Sequence, residues 1–319
     1  MINSNPLVTF AVFCYNQEKY IAEAVKSALA QTYTPLEIII SDDCSTDGTF
    51  AEIEKIIANY SGPHKVIVHR NEHNLGYVGN EKKVWELSSG DLLVFQGGDD
   101  ISLPHRTSKL AEAWLSRDPR PDLVYSGTVR IDEDGNVIRE DKIVVEKTPP
   151  IDGTITGRKV FIASGCAFAL TRSVHFFVGP LNENVIGEDF VYSFRALLGN
   201  GVVGISEPLV LYRQHSDSVI GQLKSARTKG RRWDDKYLKS HFMMLLEYKR
   251  AMDAYKVRRP LLRWILDRRI KSSEMELHFG SSGIIKKYLL MLWALITLRI
   301  RLFLDMFRAL TEQSTKIHL

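Results

Sequence analysis

The chain has 319 residues, 45% of them hydrophobic and 25% charged, with a formal net charge of +4. That is the balance of a folded globular protein, which excludes disordered, collagen-like and low-complexity classes. Three well-separated cysteines, Cys14, Cys44 and Cys166, form neither a disulfide framework nor a zinc module and fit a reducing compartment. The charge is uneven: residues 1–220 hold 20 Lys and Arg against 29 Asp and Glu, whereas residues 221–319 hold 22 against 9. An acidic body with a basic tail points to a cation for the one and a polyanion for the other, although basic helices are also well solvated on their own.

In chain order, Leu7–Cys14 reads as a buried strand and Glu18–Ala30 as a helix with Ile21, Ala24, Val25 and Ala28 on one face. No basic residue precedes the apolar start, so a strand is expected there and not a secretory leader. Leu36–Ser41 is a second strand, Thr49–Tyr60 a helix, Lys65–His69 a third strand, Gly79–Ser88 a helix and Asp91–Gln96 a fourth strand. This alternation predicts a mostly parallel sheet covered by helices on both faces. From residue 120 the pattern changes. Strands are expected at Asp122–Gly127 and Val137–Val145 around the Asp132–Asn136 turn, and a loop over 149–172 around a short strand at Ala167–Thr171. A helix at Glu188–Leu198 and two short strands, Gly201–Ile205 and Leu209–Tyr212, complete residues 1–220. Residues 221–319 read as a helical, basic extension.

In such sheets ligands bind beyond the carboxyl ends of the strands. Those tips carry Tyr15-Asn16-Gln17, Asp42-Asp43, Asn74-Leu75-Gly76 and Asp99-Asp100. Neither GxGxxG nor GxxxxGK[ST] occurs, which argues against nicotinamide and P-loop chemistry. Adjacent carboxylates repel, so two such pairs at one sheet edge call for a hard divalent cation or for hydrogen-bond donors. A single pair would read as ordinary turn and capping chemistry.

The motifs taken together resemble the family 2 glycosyltransferases of GT-A fold. The residues that carry the resemblance are Cys14-Tyr15-Asn16, Ala28–Tyr33, Ser41-Asp42-Asp43-Cys44-Ser45-Thr46-Asp47-Gly48-Thr49, Asn74-Leu75-Gly76 with Asn80, and Gly90-Asp91. To these add Asp99-Asp100 through Pro104-His105-Arg106, Gly187-Glu188-Asp189-Phe190 and Tyr212-Arg213-Gln214-His215. They span about residues 6–220. The resemblance implies a nucleoside-diphosphate sugar donor, UDP- or dTDP-linked, and inverting transfer to a hydroxyl of a glycan or lipid-linked acceptor in surface polysaccharide synthesis. It implies that Asp43 meets the nucleotide base, with Asn80 nearby and the backbone at Phe13 and Tyr15 along that base. Asp99 would sit by the ribose or sugar, Asp100 would bind Mn²⁺ or Mg²⁺, and Asp189 would be the general base with Glu188 beside it. Where many members read Asp-x-Asp-Asp, this chain has Gly97.

Three residues read two ways. His215 either reaches the diphosphate or metal or is a loop histidine. Arg213 pairs either with phosphate or with a surface carboxylate. Cys166, in a turn that lines the acceptor pocket in the family, reads as a small buried residue and not a nucleophile. In the tail, the Arg227–Arg232 and Arg258–Arg269 runs come without any nucleic-acid motif, so nucleic acid is not expected. Tyr288–Leu298 is eleven uncharged residues, too short for a bilayer span of about 20. On a wheel over residues 284–308, Lys286, Lys287, Arg301, Asp305 and Arg308 share one sector, while Arg299 falls on the apolar face. That fits either an anionic membrane surface or packing on protein, and the resemblance favours a peripheral place on the cytoplasmic face of a membrane. The rival readings are a nucleotidyltransferase, which would want a basic glycine-rich loop after the first strand, and a non-catalytic scaffold, which would not need Glu188-Asp189.

Overall fold

Val8–Cys14 (β1) and Leu36–Asp42 (β2) are each buried along their whole length, as strands covered on both faces must be. The computed structural model describes residues 5–141, 151–157, 160–216, 218 and 235–280. Successive β1 side chains serve opposite cores: Phe10 and Val12 join one, Ala11 and Phe13 the other, following the two-residue period of a strand. Helices α1 (Ile21–Leu29) and α2 (Thr49–Ala58) cover the first core, as does α4 (Arg106–Leu115) after β3 (Lys65–Arg70), α3 (Gly76–Leu87), β4 (Leu92–Gly97) and β5 (Ile101–Ser102). Helix α3 covers the second core through Val78, Val84 and Trp85. Burying each large aliphatic side chain contributes about 1.5–3 kcal/mol.

The later elements are β6 (Leu123–Ile131), β7 (Val137–Asp141), α5 (Ile151–Thr156), a 3₁₀ turn at Gly165–Ala167, β8 (Phe168–Thr171), α6 (Arg172–Phe176), α7 (Glu188–Leu198) and β9 (Val202–Arg213). They are followed by α8 (Asp235–Ala254) and α9 (Pro260–Gly280). Among the described residues the strands form one sheet in the order β3-β2-β1-β4-β8-β6-β9-β5, with β7 on β6. The pairs β1–β2, β2–β3, β1–β4 and β6–β9 are parallel, and β8 runs antiparallel to both neighbours. The chain winds outward from β1 to β3 and returns on the other side as β4. The resulting crevice opens at the carboxyl ends of β1 and β4, where such folds hold ligands.

The structure departs from the sequence reading in several places, among them the unexpected helix α6 and a β6 that runs on to Ile131. Helix α3 begins three residues earlier than expected, with Gly76 at φ +73° making the turn. Helix α4 and the two-residue β5 were not expected. Helix α5 stands in a stretch read as loop. The two short strands after Gly201 are one strand, β9: Pro208 lacks an N–H and the pairing with β6 shifts register around it.

Helices α8 and α9 place Leu245, Tyr248, Ala251, Met252, Leu262 and Leu266 in the same core as Phe95, Trp85 and Phe194. A buried ion pair joins Arg195 of α7 to Glu247 of α8 at 2.8 Å. The core therefore runs across the charge boundary at residue 220. Among the described residues no helix is long and apolar enough to cross a membrane. The Arg227–Arg232 run and the 284–308 wheel lie outside the described residues.

Candidate active site

The tips of β1, β2 and β4 are stitched together by backbone. The Asp43 N–H donates to Cys14 O at 2.9 Å and the Gly98 N–H to Phe13 O at 2.8 Å. Only glycine fits at 98, because a Cβ there would stand 2.7 Å from the Cys14 Cβ. Asp42 turns away from the crevice, toward Arg70 (3.3 Å), the Ser45 N–H (3.0 Å) and the Ser45 hydroxyl, and so fixes the loop after β2. Asp43 faces the other way. Its Oδ1 accepts from Asn71 Nδ2 and from the Leu75 N–H, both at 2.9 Å. Its Oδ2 takes no hydrogen bond among the described residues. Asn80 is buried one layer below, exchanging hydrogen bonds with Ser41 (2.6 and 3.1 Å) and accepting from Asn71 at 3.0 Å. It braces the Asp43 loop. The Phe13 ring is core, packed on Phe95 and Tyr77. Tyr15 stands exposed at the rim.

The second carboxylate pair follows β4. Antiparallel pairing of β5 with β9 sets Ile101 opposite Leu211, which brings Arg213 and His215 to Asp99 and Asp100 across more than a hundred residues of sequence. His215 Nε2 lies 2.9 Å from Asp99 Oδ2, its ring packs on Tyr20, and its Nδ1 is buried without a partner among the described residues. The Arg213 guanidinium bonds the carbonyls of Asp99, Asp132 and Glu133 and pairs with the exposed Glu23. Asp100 Oδ1 accepts the Arg213 N–H at 3.0 Å. Burial, and then the Asp99 charge, push the Asp100 carboxyl well above the usual range. The Cys166 thiol faces it, and the wholly buried Arg106, held down to about 10 by burial, lies beneath, bonded to Ser102 Oγ and Phe95 O at 2.8 Å.

The third acidic pair opens α7. Gly187, at φ +94°, turns the chain into the helix, so that Glu188 and Asp189 occupy its first turn, where the helix dipole favours carboxylates. Both are half-buried. Burial raises Asp189 to about 6 against the Phe190 and Gly165 N–H groups that face it. Glu188 is also raised well above the usual carboxylate range, by burial first and then by the charges of Asp189 and Glu81. The 164–167 turn links the two acidic sites: Cys166 faces Asp100, Gly165 faces Asp189, and a Cβ on Gly165 would lie 2.9 Å from Glu188 Oε1.

Among the described residues no group of three or more His, Cys, Asp or Glu side chains gathers as a complete ligand set. The donor set nonetheless fits a hard divalent ion that keeps waters and phosphate oxygens. Asp99 Oδ1 and Asp100 Oδ2 converge above Gly97, at 2.7 and 3.0 Å from where a Cβ on that glycine would stand. A side chain at 97 would fill this cradle. Sequence reasoning passed over Tyr77, Glu81, His175 and Tyr192, which lie behind Glu188. The spacing of Tyr77 to Glu81 and of Glu188 to Tyr192, one helical turn each, was the available signal.

Residues 9–176 match the family described as Glycosyl transferase family 2. EpsE of Bacillus subtilis (strain 168), whose name places it provisionally among glycosyltransferases, is 33% identical over 164 residues, 49% of this chain and 58% of EpsE. An uncharacterized Mycobacterium tuberculosis (strain H37Rv) protein, Rv1520, is 30% identical over 213 residues, 64% of this chain and 58% of that protein. These matches thus span 58% of the length of either relative. S. aureus TarS 1–349, solved in complex with UDP-GlcNAc, superposes with a TM-score of 0.60 at 18% identity, over 86% of this chain and 73% of that one. The mannosyltransferase PcManGT of Pyrobaculum calidifontis, solved with GDP-Man and Mn²⁺, gives 0.52 at 16% identity, over 93% and 81%. These similarities establish the GT-A fold that the motifs implied. With more than half of its residues inside the family match, the chain belongs to glycosyl transferase family 2.

Proposed function

We propose that this protein is an inverting glycosyltransferase that moves a sugar from a UDP- or dTDP-sugar to a hydroxyl of a glycan or lipid-linked acceptor, working at the cytoplasmic face of a membrane. The observation that carries the reading is the convergence on one crevice of Asp43, the Asp99-Asp100 pair and Asp189, the last two linked through the 164–167 turn. TarS solved with UDP-GlcNAc, PcManGT with GDP-Man and Mn²⁺, and GalNAc-T7 with UDP, GalNAc and Mn²⁺ support a nucleotide-sugar donor and a divalent ion.

Asp43 Oδ2 accepts a hydrogen bond from the base, with Asn71, Leu75 and Asn80 holding the carboxylate in place. Asp100, with Asp99 beside it, would hold a divalent ion, Mn²⁺ or Mg²⁺. When bound, that ion supplies positive charge against the leaving diphosphate. Asp189 accepts the proton of the acceptor hydroxyl as its oxygen bonds to C1. The bond from C1 to the diphosphate oxygen breaks, and the nucleoside diphosphate leaves with that electron pair. One displacement with one base inverts the anomeric centre. His215, through Asp99, keeps the sugar-side carboxylate oriented. The test is Asp189→Asn assayed for transfer or donor hydrolysis and, separately, for UDP binding. Turnover should be lost while binding persists, and retained turnover would remove Asp189 from the base role.

A further inference from the structure

Helices α3 and α7 face each other with matched spacing. Tyr77 and Glu81 are one turn apart on α3, Glu188 and Tyr192 one turn apart on α7. Glu81 is only 1% exposed. Its Oε1 accepts from Trp85 Nε1 at 2.8 Å and from the Tyr192 hydroxyl. That hydroxyl also lies 2.8 Å from His175 Nδ1. Among the described residues, Glu81 Oε2 is buried with no partner, an arrangement that is costly for a carboxylate. One turn nearer the crevice, the Tyr77 hydroxyl faces Glu188. Each helix thus offers a phenol to a carboxyl of the other. Helix α3 also begins beside the Leu75 N–H that holds Asp43, so it connects the base-binding end of the crevice to the acidic turn of α7.

We propose that Glu81, acting through Tyr192, is a positioning residue for the Glu188–Asp189 pair: it fixes the first turns of α7 against α3, and its proton sets the electrostatic field at Glu188. This rests on the reading of Asp189 as the base. The groups that act on Glu81 or on its neighbours His175, Glu188 and Tyr192 are Tyr77, Lys82 and Trp85 of α3, Arg172 of α6, and Asp189 and Arg195 of α7, with Arg195 already paired to Glu247 of α8. His175, held down to about 3 by burial, stays neutral and cannot balance Glu81. Burial lifts Glu81 itself to about 7 against the Tyr192 and Trp85 hydrogen bonds. A negative charge on Glu81 opposes ionisation of Glu188.

The test compares the full chain with Glu81→Gln, Glu188→Gln and the double variant, reading thermal stability from pH 5 to pH 9. The effect of Glu188→Gln, measured with and without Glu81, should move to lower pH by about half a unit or more when Glu81 is gone. Superimposable curves would overturn the proposal. In parallel, Tyr192→Phe should lower kcat for UDP-sugar hydrolysis about fivefold or more with KM nearly unchanged, and an unchanged kcat would also overturn it. If the wild type turns over no UDP- or dTDP-sugar, the transferase reading fails, and the coupling is decided by the stability curves alone.

Discussion

Replacing Glu247 with Gln should remove a large share of the protein's stability, although Glu247 lies outside the family match. Its carboxylate is 6% exposed and meets the Arg195 guanidinium, which is fully buried, at 2.8 Å. Arg195 also bonds the carbonyls of Gly179 (2.8 Å) and Val174 (3.3 Å), while its Nε has no partner among the described residues. At an effective dielectric of about 20 the pair attracts by about 6 kcal/mol. Removing one member of a buried pair typically costs about 3–5 kcal/mol, because the other charge stays buried. Gln still accepts a hydrogen bond, so the expected loss is near 3 kcal/mol, against a total stability of about 5–15 kcal/mol for such a domain. Urea unfolding should show this as a lower midpoint with an unchanged m-value. The double variant Arg195→Met, Glu247→Leu should recover most of the loss. A Glu247→Gln protein within about 1 kcal/mol of wild type would refute the reasoning. It would mean that α8 is not clamped to the helix that carries Asp189.

Further expectations follow from the acidic groups. Glu81, raised from 4.5 to about 7, binds its proton more tightly when folded. It therefore stabilises the native state below about pH 4.5, and that contribution, about 3 kcal/mol, is lost as pH rises through 7. Denaturation of Glu81→Gln should show a correspondingly weaker fall across this window, and a wild-type-like slope would contradict the burial argument. Turnover should rise through about pH 6 as Asp189 ionises, and a profile flat from pH 5 to pH 8 would exclude it as the base. Gly165→Ala, whose Cβ would stand 2.9 Å from Glu188 Oε1, should lower kcat while leaving UDP binding within about twofold; lost binding would place the turn in the donor site instead.

The parallel half of the sheet was legible because its strands are continuous apolar runs. Each of the first four ends within one residue of the expected boundary. Helix α4 was missed because Arg106, Thr107 and Trp114 are buried through hydrogen bonds and a ring, which an apolar periodicity count does not register. The insertion of β8 between β4 and β6 depends on pairing between distant segments, which no local pattern encodes. Of the candidate site, the carboxylates were visible as motifs at strand and helix tips. What holds them was not. Glu23 meets Arg213 across 190 positions and Tyr192 meets Glu81 across 111. Asn80, expected near the base from its motif, lies beneath Asp43 as a brace through Ser41 and Asn71.

The most direct test of the account is thermal stability of the wild type and of Asp43→Ala against UDP, dTDP, GDP and CDP, each with and without Mn²⁺. At ligand about 100 times Kd, binding should add about 2.7 kcal/mol. The account expects a Mn²⁺-dependent shift with UDP or dTDP in the wild type and little or none in Asp43→Ala. No shift with any nucleotide, or an equal shift in the variant, would contradict it.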